Sequence, residues 1–314
     1  MIHRENKILV RSVLAQCSIC LLMVLTALVQ GKIYQQAMDP DFVAKVARPA
    51  YVESHPKVLF DEAHKNFHTA GGRYKPFVDL ITSDGYQVTS NQEKFQPGVL
   101  KGIEILITAN ASGGLPDPGK PAFTEAECDT VRDWVRDGGS LLLVADHAPF
   151  GDANEMLSQR FGVEMSKVYT IDPAHADLSQ GGNEGWIVYS RENGLLVDHS
   201  ITAGRSAAER INSVTAFTGQ SLKGPEGSQA FLRLADTALD VDRKTKKEVS
   251  AAGRAQGIAL RLGNGRVVIL GEAAMMTAQV AGTEKLKFGM NRPGNDDKQM
   301  ALNIMHWLSG LLDR

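Results

Sequence analysis

The stretch "SLLLVADH", Ser140 to His147, limits what this chain can fold into more than any other. Five apolar residues, Leu141–Ala145, run without a break into an aspartate and a histidine. A strand with one wet face alternates apolar and polar residues. A strand without alternation buries both faces, as in a parallel sheet covered by helices on each side. Val58–Phe60, Ile103–Thr108 ("IEILIT") and Val267–Leu270 are runs of the same kind. Helical spacing separates them. Tyr74, Phe77, Val78 and Ile81 fall at i, i+3, i+4 and i+7, on a helix that stops near Gly85. Thr124 and Glu127 spell a capping box. Cys128, Val131, Trp134 and Val135 form the apolar face of the helix it opens, and Gly138-Gly139 ends that helix. Strands alternating with helices predict an α/β fold: a doubly wound, mostly parallel sheet with helices on both faces.

The second half is less regular. Trp186–Ser190, Val214–Thr218 and Phe231–Leu234 read as strands, and Tyr86–Thr89 as a short one earlier in the chain. Gly257–Leu262 and Arg266–Leu270 flank Gly263-Asn264-Gly265, which predicts an antiparallel hairpin extension. Asp240–Gln256 is polar with mixed charges and reads as an exposed loop. The C-terminal helix carries Met300, Ile304, Trp307, Leu308 and Leu311 on one face, with Asn295, Asp296 and Asp297 at its positive end. His306 on this helix reads as a core or interface histidine.

Arg4, Lys7 and Arg11 precede an apolar run, Val13–Val29, broken only by Gln16, Ser18 and Thr26. That is the order of a secretory signal or of a single membrane anchor. The expected organisation is therefore a signal peptide or anchor at 1–31, a lead-in at 32–55, and an α/β domain at 56–314. The expected location is outside the cytoplasm, periplasmic or anchored to the inner membrane. Residues 1–31 hold three of the 34 basic residues and one of the 36 acidic ones, so the remainder has 31 against 35, a net charge of −4. With no basic stripe, nucleic acid is not an expected partner. Cys17 and Cys20 lie in the leader, which leaves Cys128 on a helix face and no internal disulfide. The fold must rest on its core.

Ligands of open α/β sheets bind beyond the carboxyl ends of the strands. Each apolar run here ends in polar residues: Asp61, Glu62, His64, Asn66 and His68; Asn110 and Ser112; Asp146 and His147, then Asp152 and Asn154; Gly271 and Glu272. If the strands are parallel neighbours, these groups share one rim. Glu62, His64, Asp146, His147 and Glu272 are the catalytic candidates, because carboxylates beside imidazoles suit general acid–base work. His147 or His64 would move the proton, with Glu272 or Glu62 as partner. Asp61, Asn66, His68, Asn110 and Arg205 are candidate ligand contacts. His64, His68, Asp146 and His147 carry donors suited to a divalent metal, although the spacing His-Glu-x-x-His is absent and no cofactor is required. Asp61 and Asp146 equally suit backbone N–H groups at helix starts. His175 and His199 sit on loops within reach of such a cleft. Neither a Gly-x-Ser-x-Gly elbow nor a phosphate-binding loop occurs.

The segments "VLFDEAHKNFHT", "FTEAECDTVRDWVRDGGSLLLVADHAPFGDANEMLSQRFGV", "HSITAGRSAAERINSVTAFTGQSL", "GRVVILGEAAMMTAQ" and "GMNRPGNDDKQMALNIMHWLSG" resemble a bacterial domain family of unknown function. That family lies within the class I glutamine-amidotransferase-like superfamily. The resemblance implies a flavodoxin-like sandwich over most of the chain from residue 57. It supplies no substrate. Amidotransferases of the superfamily carry a cysteine at the turn after a central strand. Here the turn reads Ala145-Asp146-His147-Ala148, so glutaminase chemistry through a thiolate is not expected. The pattern Gly138-Gly139, apolar strand, His147 is similar to trehalose-utilisation-type proteins and implies a carbohydrate-like small-molecule ligand. Two functions stay open: an exported enzyme of hydrolase type, or a non-catalytic binding or scaffold module at the membrane surface.

Overall fold

The structure, a computed structural model, describes residues 36–114 and 120–313. The expected leader at 1–31 lies outside them. A nine-stranded sheet organises the chain. Its strands are β1 (Lys57–Asp61), β2 (Gln87–Asn91), β3 (Ile105–Ala109), β4 (Ser140–Val144), β5 (Glu164–Met165), β6 (Leu222–Lys223), β7 (Gln229–Arg233), β8 (Ala255–Leu262) and β9 (Gly265–Leu270). They lie in the order β2-β1-β3-β4-β9-β8-β6-β5, with β7 also paired to β8. The first five are parallel. From β8 onward the pairing is antiparallel, starting with the β8–β9 hairpin, in which Leu262 faces Gly265. The result is a mixed α/β fold with a parallel-rich sheet and antiparallel additions.

The apolar runs lack alternation because both of their faces are covered. Phe60, Ile107, Val144 and Leu270 belong to one core, with Phe77 and Ile81 of helix α1 (Lys75–Ser83) and Met300 and Ile304 of a C-terminal helix. Leu59, Leu106, Leu143 and Ile269 belong to the other core. There they meet Cys128, Val131 and Val135 of α2 (Glu125–Arg136) and Leu157 of α3 (Phe150–Gln159). The C-terminal helix is α4 (Asp297–Leu308). Successive strand residues point to opposite faces, so one apolar run serves two cores. The capping box at Thr124 forms as the sequence spells it.

Three segments differ from the expectation. Asp240–Gln256 is not one loop. Leu239–Val241 pairs with Glu248–Ser250 and with Tyr169–Ile171, and the basic tip between the two arms, Asp242–Lys247, carries the exposed charges. Ladder bonds come from the backbone, so a polar sequence can still pair. The lead-in, expected only to connect, holds a strand: Gln36–Met38 pairs antiparallel with Ala278–Ala281, and Leu286–Gly289 completes that sheet. Helix α3 was not read from the sequence, because only Phe150, Ala153 and Leu157 mark its apolar face among polar residues. Among the described residues no helix is long and apolar enough to cross a membrane.

Candidate functional site

β1, β3, β4 and β9 are parallel neighbours, so their carboxyl ends form one edge. The polar groups on that edge separate into two clusters.

The first cluster is a closed strut. Asp61 accepts from His64 Nδ1 at 2.9 Å, from Thr108 Oγ1 at 3.1 Å and from Asn66 Nδ2 at 3.2 Å. His64 Nε2 lies 2.8 Å from Glu127 Oε1. The imidazole packs against both Phe95 and Phe123, with ring centroids at 4.6 and 4.5 Å. His64 and Asp61 are wholly buried, and both ring nitrogens are engaged by carboxylates. Neither ring nitrogen is free to face a substrate. Asn66 is spent on the same network. Burial raises the Glu127 pKa, but hydrogen bonds from Thr124 and His64 outweigh burial and hold it at about 2. Glu62 is bound elsewhere: it accepts from Ala70 N at 2.9 Å and Gln92 Nε2 at 2.7 Å, tying the β1 loop to the residues after β2.

The second cluster is open. Asp146 and His147 follow β4, and Glu272 follows β9. Glu272 is fully buried and accepts from the N–H groups of Ala274 and Met275, each at 2.7 Å. Burial and then the Asp146 charge push its pKa up to about 8. Burial pushes Asp146 up to about 7, against a hydrogen bond from His147 N–H at 2.7 Å. The side chains of Asp146 and His147 remain 14% and 26% exposed. His147 Nδ1 lies 2.8 Å from the Ala148 carbonyl, which can only accept, so Nδ1 carries the hydrogen. Nε2 is then the basic nitrogen, 3.9 Å from Asp146 Oδ2. That gap is too long for a direct hydrogen bond, and both atoms can address one water or one ligand atom.

His147 is the first tier of a stack. Its ring lies 4.1 Å from that of Tyr169, and the Arg243 guanidinium lies 3.5 Å from the Tyr169 centroid. One ring has two faces, so imidazole and guanidinium sandwich the phenol. Burial, and then the Arg243 charge, lower the His147 pKa, while the Ala148 carbonyl opposes them. A cleft of about 640 Å³ opens beside the stack, lined by Pro149, Asp152, Lys167, Tyr169, Arg243 and Lys244 among others. On the other side, Tyr74 donates to the Ala273 carbonyl at 2.9 Å, and its ring contacts His68 at 4.6 Å. Burial, followed by Arg73, drops the His68 pKa to about 3.

The structure thus groups Asp146, His147 and Glu272, and it leaves Glu62 and His64 in other networks. Arg205 does not join the edge. It pairs with Glu209, and the charges it feels beyond that partner are Asp84 and Tyr86, at the opposite ends of the strands. His199 caps a helical turn, Ser200–Ala203, and His175 is bound to Asp172 at 2.8 Å. His64, His68, Asp146 and His147 do not converge on a metal site. Among the described residues, no three histidine, cysteine, aspartate or glutamate side chains are grouped as ligands of one ion. Glu127, Tyr169 and Arg243 were missed as site residues. Glu127 had a sufficient reading as a helix cap, and Tyr169 and Arg243 lie in segments with no periodic signal.

No protein-family model matches the chain. Among solved structures, the mmIFT52 N-terminal domain is similar in fold: the TM-score is 0.59 at 15% identity, covering 81% of this chain and 97% of that one. A ThuA-like protein from Bacteroides uniformis aligns with a TM-score of 0.39 at 12% identity, over 86% of this chain and 95% of its own. Among curated proteins, the mitochondrial chaperonin HSP60 of Trypanosoma cruzi is 27% identical over 155 residues, 46% of this chain. The chain spans only 27% of that relative's length. At these identities the first likeness is one of fold.

Proposed function

We propose that the chain is an exported enzyme of hydrolase type, acting on a small polar molecule held in the cleft beside His147. We place it in the glutamine-amidotransferase-like superfamily, as a flavodoxin-like domain without the cysteine. The strand order and the resemblance of the strand-end segments support that placement, and the basic-then-apolar start of the sequence supports export or anchoring. The observation that carries the catalytic reading is the pairing of Asp146 and His147 at the end of β4. An acid titrating at about 7 faces a neutral imidazole whose free nitrogen is set by the Ala148 carbonyl. One can give a proton while the other takes one from water, which is the requirement for hydrolysis near neutral pH. Glu272 sits behind the pair. Both of its oxygens are occupied, so it does not touch substrate, and the Asp146 charge helps to keep it protonated. The test is turnover of p-nitrophenyl esters, anilides and glycosides by the purified protein and by D146N and H147A. Loss of a wild-type activity in both variants is expected. Full activity in either, or no wild-type turnover of any of the three classes, overturns the reading.

A second reading, a non-catalytic binding module, is favoured by one observation. The turn after β4 offers no thiol or hydroxyl nucleophile, and the lone described thiol, Cys128, is buried on α2 with its pKa pushed up to about 12. Tight binding of a small molecule with no turnover would select it.

A further inference from the structure

Asn110 ends β3 with its backbone in the left-handed region, φ 49°, and its side chain is fully buried. Asparagine tolerates that backbone better than most residues, so the conformation fits the residue type. The side chain's orientation is fixed by chemistry. The Asp146 N–H donates to Asn110 Oδ1 at 2.9 Å, and a backbone N–H can only donate. The bonded atom must therefore be the oxygen. The NH2 group beside it, no more than about 5 Å from the Asp146 nitrogen by carboxamide geometry, has no partner. A buried donor without an acceptor is rare in a native core. A second unpartnered nitrogen lies on the adjoining loop. His68 Nδ1 is also buried, and the Phe67 N–H ties that loop to the Asn110 carbonyl at 2.9 Å.

We propose that Asn110 Nδ2 receives the carbonyl oxygen of an acyl substrate, so that the bond cleaved beside Asp146 and His147 is an ester or amide and not a glycoside. This rests on the reading of Asp146 and His147 as the acid–base pair. Two facts separate the substrate classes. Acyl transfer puts negative charge on the carbonyl oxygen and gains from a fixed donor there. Glycoside cleavage needs two carboxyl groups facing the bond; Glu272 has both oxygens tied to backbone N–H groups, which leaves the cleft-wall Asp152 for that role, whereas the Asn110 donor serves acyl transfer alone. In the step proposed, water adds to the carbonyl carbon and its proton moves to His147 Nε2. The carbonyl π electrons pass to the oxygen held by Asn110. Collapse restores the carbonyl, breaks the bond to the leaving oxygen or nitrogen, and returns the proton to that atom. One water is consumed, and an acid and an alcohol or amine are released.

The variant N110D keeps the oxygen that accepts from Asp146 N–H and the side chain's size, and it removes the NH2. With p-nitrophenyl acetate, kcat should fall by roughly 10²–10³-fold with KM little changed, and p-nitrophenyl glucoside should be cleaved by neither protein. Wild-type kcat in N110D, or cleavage of the glucoside alone, overturns the proposal. A second measurement does not depend on turnover. The side-chain NH2 resonances of Asn110, assigned by their absence in N110D, should shift when acetate is added and stay still with glucose; resonances unmoved by acetate overturn the proposal. If N110D loses activity while D146N and H147A keep it, the acid–base reading fails and the Asn110 assignment stands.

Discussion

Replacing Glu127 by glutamine should unfasten the strut at the end of β1, and its cost can be worked from the geometry. One carboxylate accepts four donors: Thr124 N at 2.9 Å, Thr124 Oγ1 at 2.8 Å, His64 Nε2 at 2.8 Å and Phe95 N at 3.3 Å. Its pKa is held at about 2 against an ordinary 4.5. At about 1.4 kcal/mol per pKa unit, the ionised form contributes about 3 kcal/mol. The folded pKa is depressed, so this contribution is complete above the unfolded value and is lost as pH falls toward the folded one. Glutamine keeps the shape but turns an NH2 toward at least one of the four donors. E127Q should therefore be less stable at neutral pH by about 2–4 kcal/mol, or roughly 5–15 °C in Tm for a domain of this size. Thermal unfolding followed by circular dichroism, wild type beside E127Q in steps from neutral to acid, measures it. The gap should narrow below about pH 4.5. A neutral-pH gap within the range of an exposed ion pair, under about 1 kcal/mol, or one that stays constant into acid, would refute the strut.

Four further outcomes are expected. The pH profile of any turnover should have a limb near the Asp146 pKa of about 7, and E272Q should leave that limb in place, because Glu272, raised to about 8, is still uncharged where Asp146 titrates; a limb moved to lower pH would show that Glu272 carries its charge first. The folded pKa values of this pair are raised, so the stability they contribute is lost as pH rises through about 7 and 8, and E272Q should gain on wild type in alkaline unfolding experiments. R243A should raise the His147 pKa in an NMR titration, because a cation above Tyr169 is removed while Asp146 stays in place; no change would mean the stack does not couple them. Cys128 should resist thiol reagents in the folded protein and react fully in denaturant, since burial holds its thiol near 12; rapid native-state labelling would contradict its place in the core.

The sheet was legible because its signal is local. Leu141–Ala145 or Ile103–Thr108 needs no distant information to declare a strand buried on both faces. The capping box was legible for the same reason, and the observed β8–β9 hairpin follows the expected turn closely. The hairpin Leu239–Val241/Glu248–Ser250 was not, because backbone pairing and a buried bond from Thr170 Oγ1 to Asp240 Oδ1 hold it to Tyr169–Ile171, and neither shows in local spacing. At the site, the sequence placed Asp146, His147 and Glu272 at strand ends but could not say which strand ends share a side. Glu127 illustrates the limit. Its reading as a cap is right, and its second bond, to a histidine 63 residues away, leaves no trace in local spacing.

Counting from the last core residue of each strand explains why one polar edge yields two unlike clusters. Phe60, Val144 and Leu270 all face the core that holds α1 and α4. Side chains alternate along a strand, so the residue next to each of them turns to the other face. On β1 that residue is Asp61, whose carboxylate meets Thr108 and, through His64, Glu127 of α2. On β4 the adjacent residue is Ala145, buried in the α2 core, and on β9 it is Gly271. The polar residue comes one place later, as Asp146 and Glu272, and returns to the first face together. There Tyr74, on that same core, feels both charges. A single residue between the last side chain on the α1–α4 face and the first carboxylate therefore separates the strut from the open group. Moving Asp61 one place along its strand would carry it away from α2 altogether. That parity is present in the sequence, and it separates the two roles once the strands are known to be parallel and adjacent.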